Sequence, residues 1–166
     1  MINPFLRTLK VSDLLDIDAS RIERSEKLKV EYIDTYHVLK KESIWDKIKK
    51  LFRGKSILMF YNIYKYKIHS DSGSVYTVFI KIAPSFDKSK FLSNKIEVFC
   101  QCADFKYRVA YWLNQRDNLY RNPEIDEHLG IALTERPTKI TPSNLCKHIY
   151  ACLLDFRTHI NKLVLS

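Results

Sequence analysis

Ile57-Leu-Met-Phe-Tyr-Asn-Ile-Tyr-Lys-Tyr-Lys-Ile-His-Ser70, then Asp71-Ser-Gly73, then Ser74-Val-Tyr-Thr-Val-Phe-Ile-Lys-Ile-Ala83 is the stretch whose reading decides the fold. Both flanks are rich in Ile, Val, Tyr and Phe, residues that suit a pleated, half-buried surface. In the second flank Tyr76, Val78, Ile80 and Ile82 fall at period two and so share one face of a strand. Asp-Ser-Gly supplies the turn chemistry between them, so the stretch predicts a β-hairpin. Lys95–Cys100 predicts a third short strand, with Ile96 and Val98 on one side, and Pro84–Asn94 reads as a polar loop before it.

Outward from this sheet the period changes to helical. Ser43 is a good N-cap, and Ile44, Ile48, Leu51 and Phe52 recur at helical spacing until Gly54. Asp104 predicts the cap of a second helix with the stripe Phe105, Val109, Trp112 and Leu113. A last helix is expected from about Asn144, with Leu145, Ile149, Cys152, Leu153, Phe156, Ile160 and Leu163 toward the core. Between these two helices, Asp117–Ser143 is polar, carries three prolines and shows no clear period. It is expected to need a partner to order it. Near the N-terminus, Ser12 predicts a cap for a short helix carrying Leu14, Leu15 and Ile17, and Lys27–Val38 reads as a strand. The expected class is α+β: an antiparallel sheet covered by helices near 43–53, 104–116 and 144–163. Residues 1–42 form an N-terminal arm and residues 43–166 the main domain.

Composition narrows the function classes. The chain has 166 residues, 46% hydrophobic and 13% aromatic, which is globular composition. Its apolar runs fall well short of the ~20 residues of a membrane helix, and no signal peptide is evident. The expected location is therefore a cytoplasm or a particle assembled there. Net charge is +9, and the middle third carries +5 of it. Such an excess suits a phosphate backbone, an anionic membrane surface or an acidic protein, and equally the solvated surface of a protein from a Lys-rich, AT-biased genome. Lys47, Lys49, Lys50, Arg53 and Lys55 form the densest basic segment and the candidate nucleic-acid contact. The chain contains three glycines, so a glycine-rich phosphate loop is excluded.

Chemistry concentrates in the cysteines. In a reducing compartment four Cys are free or metal-bound rather than disulfide-linked. Cys100-Gln-Cys102 leaves a strand, and residues i and i+2 of an extended chain point to the same side. Cys146-Lys-His148 stands at the entrance of the last helix, where two alternate side chains can turn inward. Three thiolates and an imidazole make the closed tetrahedral set that Zn²⁺ favours, so Cys100, Cys102, Cys146 and His148 are expected to hold one structural zinc ion. The resulting net charge of −1 suits a helix N-terminus, with Lys147, Lys106 and Arg108 as further compensation. Cys152 lies on the apolar stripe and reads as a buried core thiol, and His37, His69, His128 and His159 read as ordinary surface or core histidines.

Cys100–Cys102 leaving a strand and Cys146–His148 opening a helix resemble the SWIM-type zinc finger, with its CxC…CxH arrangement. The likeness spans residues 100–154, and only the four ligands match residue by residue. Forty-three residues separate Cys102 from Cys146, longer than is usual in that family, so this finger would carry an extra helix and loop. Narrower still, Cys100-Gln-Cys-Ala-Asp-Phe-Lys-Tyr-Arg108 with Asn144-Leu-Cys-Lys-His148 looks like small virion proteins of tailed bacteriophages. That resemblance implies a structural component of the head, neck or tail, acting through contacts with other virion proteins and copies of itself, and no catalytic residues.

An enzyme is not expected. A catalytic zinc keeps one position for water, whereas four protein donors close this shell. HExxH, a Ser/His/Asp arrangement and the deaminase HxE…PCxxC pattern are absent from the sequence. The leading expectation is a zinc-stabilised virion protein, in particular a head–tail connector subunit, with no small-molecule substrate. Its rival is a zinc-finger nucleic-acid-binding protein using the 47–55 patch. Non-specific DNA contact is compatible with both.

Overall fold

The computed structural model describes residues 10–15, 19–39, 60–70, 72–84, 88–137 and 145–162. The helix expected at 43–53 and the basic segment Lys47–Lys55 lie outside these residues. Among them the fold is α+β. Helices α1 (Val11–Leu14) and α2 (Ala19–Glu26) lead into β1 (Lys29–Leu39), followed by β2 (Phe60–His69) and β3 (Val75–Ile82). A 3₁₀ turn (Lys88–Ser93) precedes β4 (Ile96–Cys100). A π-helical turn (Phe105–Val109) then runs into α3 (Ala110–Asn114), and α4 (Pro123–Leu129), a 3₁₀ turn (Gly130–Leu133) and α5 (Lys147–Lys162) complete the order.

The four strands form one antiparallel sheet in the order β1-β2-β3-β4. At the β2–β3 turn Gly73 N–H donates to the Ser70 carbonyl at 2.9 Å, and Ser70 N–H to the Ser74 carbonyl at 2.9 Å. Gly73 has φ +79°, a left-handed step that favours glycine there. Register then places Tyr66 opposite Val78, and Val78 opposite Cys100. One row therefore ends the apolar inner face on a cysteine. Tyr66, Ile68, Val78, Ile80, Val98 and Cys100 are all fully buried on that face. Helix α5 lies across it, with Ile149, Cys152, Leu153 and Phe156 buried together with Leu145 just before the helix, and the Phe156 ring meets Tyr64 edge-on at 4.7 Å. Each fully buried Leu, Ile, Val or Phe side chain among them contributes roughly 1.5–3 kcal/mol.

Several expectations change. Part of the 1–42 segment is built into the sheet: β1 pairs along its length with β2, with a bulge between Tyr32 and Asp34. Helix α1 is not capped by Ser12; Lys10 occupies the cap position and its N–H donates to the Asp13 carboxylate at 2.9 Å. The 84–94 segment holds the 3₁₀ turn, whose Phe91 is buried against Phe156. The π turn shifts the register of the helix after Cys102 by one residue, so Phe105, Val109, Ala110 and Leu113 are buried. Trp112 leaves the expected stripe and instead meets Tyr111 edge-on and the Arg136 guanidinium.

The largest correction concerns the polar connector, of which 117–137 packs on its own domain. Asp117, at φ +53°, ends α3 in a Schellman turn: Asn118 N–H donates to Leu113 O at 3.0 Å and Asp117 N–H to Asn114 O at 3.5 Å. Residues 118–120 then run parallel along β4. Val98 N–H donates to Asn118 O at 2.8 Å, Tyr120 N–H to Val98 O at 3.1 Å, and the buried Asn118 Nδ2 to Ile96 O at 2.8 Å. Asn122 caps α4 by accepting from Ile125 N–H at 2.8 Å, with Pro123 at the first helical position. Ile125 and Leu129, one helical turn apart, are buried. This part of the connector thus finds its packing and hydrogen-bond partners within the chain.

Candidate metal centre

The sheet and α5 converge on four donor-bearing side chains. Cys100 ends β4 on its inner face, with Gln101 N–H donating to Thr77 O at 3.0 Å just beyond it. Cys102 opens the π turn: its carbonyl accepts from Lys106 N–H at 3.1 Å and its sulfur from Phe105 N–H at 3.3 Å. Asp104, expected as a helix cap, makes no capping bond; its carboxylate binds Arg108 and Arg21 instead. On the other side Cys146 precedes α5, its carbonyl accepting from Tyr150 N–H at 3.3 Å, and His148 sits in the first turn.

The donor atoms of Cys100, Cys102, Cys146 and His148 all lie within 4.8 Å of one another, and all four side chains are buried. Donors bonded to one tetrahedral ion such as zinc stand about 3.6–3.8 Å apart, given bond lengths near 2.0–2.3 Å. The Cys100 Sγ to His148 Nδ1 separation, 3.8 Å, is of that size. His148 Nε2 is buried without a hydrogen-bond partner, and the ring packs against Tyr76 with centroids 4.7 Å apart. Burying an imidazole and three thiols this closely, with hydrogen bonds made mainly to one another, is costly unless a cation binds them. The donor set fits a metal ion. Among the described residues it is the one group of this kind.

The electrostatics of the trio of thiols point the same way. Burial, then the other two sulfurs, pushes the Cys100 thiol well above its usual range. Burial likewise raises Cys146, partly offset by a hydrogen bond from Cys100 and by the Ile149 backbone N–H at the start of α5. Cys102 moves the opposite way, because Cys100 and Cys146 both donate to it and His148 stands beside it. Without a cation the trio favours ionisation at Cys102 and opposes it at Cys100 and Cys146. A divalent ion removes that limit, letting all three sulfurs ionise as its ligands.

Cys152, excluded from the set in the sequence, is buried on α5 outside the four-residue group, and burial raises its thiol too. Of the basic residues expected to offset the charge, Lys106 turns away: its Nζ donates to His128 O at 2.6 Å and lies over the Tyr107 ring. Arg108 does serve this corner, together with Arg21, which the sequence did not single out. Both donate to the carbonyl of Leu145, at 3.0 and 2.8 Å. No local spacing could have shown this, since Arg21 and Leu145 are 124 positions apart. Tyr76 was legible as an inner-face residue but not as the ring lying against His148.

Comparison with family models, with curated proteins and with solved structures finds no match.

Proposed function

We propose that Cys100, Cys102, Cys146 and His148 hold one structural zinc ion, and that the protein is a structural subunit of a tailed-phage virion working through subunit–subunit contacts. The observation that carries the metal reading is the buried, closed Cys₃His set. Soft thiolates with one imidazole at tetrahedral spacing favour zinc over magnesium or calcium, which take oxygen donors. Four protein donors leave no position for a reacting water, so the ion clamps rather than catalyses. When bound, zinc supplies a cross-link between the end of β4 and the start of α5.

The SWIM-type CxC…CxH order supports the finger reading. The virion reading rests on the likeness of the 100–108 and 144–148 strings to small phage structural proteins, and a connector between portal and tail is the place it suits best. In a many-subunit particle, a clamp that fixes one domain's surfaces also fixes what its neighbours must match. The net charge of +9 favours a second reading, a nucleic-acid-binding protein, whose contacts would be mainly electrostatic.

Elemental analysis of the purified chain tests the first part, with about one zinc per chain expected. Metal-free protein that remains folded would sink the clamp. For the second part, ring formation or co-purification with virions is expected, with DNA affinity that falls steeply with salt and is alike for any duplex. Sequence-selective binding by a monomer or dimer absent from particles would favour the second reading instead.

A further inference from the structure

The two halves of the metal centre come from segments far apart in the chain, and one polar cluster joins them without using a donor atom. Arg21, on α2, donates from Nη1 to the Leu145 carbonyl at 2.8 Å and to Asp104 Oδ2 at 3.3 Å. Arg108, in the π turn, donates from Nη2 to the same carbonyl at 3.0 Å. It also grips Asp104 with both arms of its fork, Nε to Oδ1 at 2.7 Å and Nη2 to Oδ2 at 2.9 Å. Leu145 immediately precedes Cys146, and Asp104 follows Cys102 by two residues. The cluster therefore spans from the CxC corner to the CxH corner.

Three features separate it from an ordinary surface ion pair. The arginine side chains are largely buried, at 19% exposure for Arg21 and 13% for Arg108. Two guanidinium donors on one carbonyl occupy both of its lone pairs, which fixes the plane of the Leu145–Cys146 peptide. The guanidinium charges also stand beside a site that, with three thiolates and a divalent ion, would carry −1. An exposed salt bridge alone would contribute little.

We infer that Arg21 and Arg108 are positioning residues of the metal centre, holding the Leu145–Cys146 peptide where the Cys146 sulfur completes the donor set and offsetting the charge of the loaded site. This rests on the metal reading above. Neither side chain coordinates the ion. Their effect is on how tightly and in what geometry the ion is held, as with the outer hydrogen bonds that orient ligands elsewhere.

The full chain tests this through zinc affinity, by competition with a chromophoric chelator, and through the visible spectrum of the cobalt-loaded protein. Arg21→Gln and Arg108→Gln should each weaken zinc binding about tenfold or more. Arg108→Lys, which keeps the charge and loses the fork, should fall between Arg108→Gln and the native chain. The cobalt spectrum should shift in the Gln variants, because the Cys146 ligand relaxes, and a purely structural role elsewhere would leave it unmoved. Native affinity and an unchanged spectrum in Arg21→Gln would overturn the inference, and that variant carries the test if Arg108→Gln fails to fold. A native chain that binds no zinc overturns the metal reading itself. Tight zinc in the native chain with equal binding in the variants overturns only the role of the arginines.

Discussion

The two corners that supply the donors are built in different ways. The Cys100–Cys102 corner is held by its own backbone: β4 pairs with β3 up to Cys100, Gln101 N–H reaches Thr77 O, and Phe105 N–H turns onto the Cys102 sulfur. The Cys146–His148 corner is held from outside, by Arg21 and Arg108 on the Leu145 carbonyl and by the Tyr76 ring against His148. Backbone ladders persist when one side chain is lost, whereas a corner fixed by a few long side chains depends on each of them. The first corner is thus a preformed half-site, and the second would be completed by tertiary structure and a bound metal together.

The largest effects should come from breaking the centre itself. Cys102→Ser and Cys146→Ser should both lose the metal, with destabilisation above about 4 kcal/mol, since loss of a structural metal belongs to the short list of mechanisms giving such values. Hydrogen exchange after chelation should separate the corners. Amides of residues 98–101 should keep most of their protection, while those of 146–150 should lose theirs. Equal loss at both corners would erase the distinction.

Next in size is the pH dependence of metal affinity. The Cys102 thiol is held well below its usual range by its neighbours, whereas the Cys100 and Cys146 thiols are held up and must give their protons away on binding. The metal replaces protons, so affinity rises with pH and falls as pH is lowered. The expected slope near neutral pH is about two protons released per ion, or roughly a hundredfold in affinity per pH unit. Calorimetry in buffers of different ionisation heat measures it. A release of three would mean that Cys102 is an ordinary thiol before metal arrives.

The smallest effect should be at Cys152. Its position on α5 beneath the sheet makes Cys152→Ala a packing change, costing about 1 kcal/mol and lowering Tm by roughly 2–4 °C, with metal content intact. Loss of metal there would move the boundary of the second corner further into the helix.

What the sequence could and could not reveal follows the same division. The hairpin, β4 and the four donors were legible because their signals are local: period two, a turn glycine and i, i+2 spacing. Residues 117–137 were not, although Asn122-Pro123 followed by Glu124 is a helix-start signal. Helix α4 has only seven residues and buries Ile125 and Leu129, too few to show a stripe. The turn before it uses Asp117 where glycine is usual, so it gave no warning. Trp112 was misplaced because a π turn adds a residue that helical periodicity does not count. Arg21 was invisible for a different reason, since its partners lie far along the chain.

The strip of backbone at 118–120, laid along β4, has a consequence for how copies of this chain can associate. It occupies Val98 N–H and O and, through the Asn118 side chain, Ile96 O, groups that β4 would otherwise present sideways. Among the described residues the sheet therefore has one open margin, along β1, and that margin is kinked by the bulge between Tyr32 and Asp34. A ribbon that grows by adding molecule to molecule needs two open margins on each. With one, strand-to-strand pairing stops at two copies facing each other about a twofold axis. A larger ring or tube could not then be built by continuous pairing of the described strands, and its joints would fall on side-chain surfaces instead.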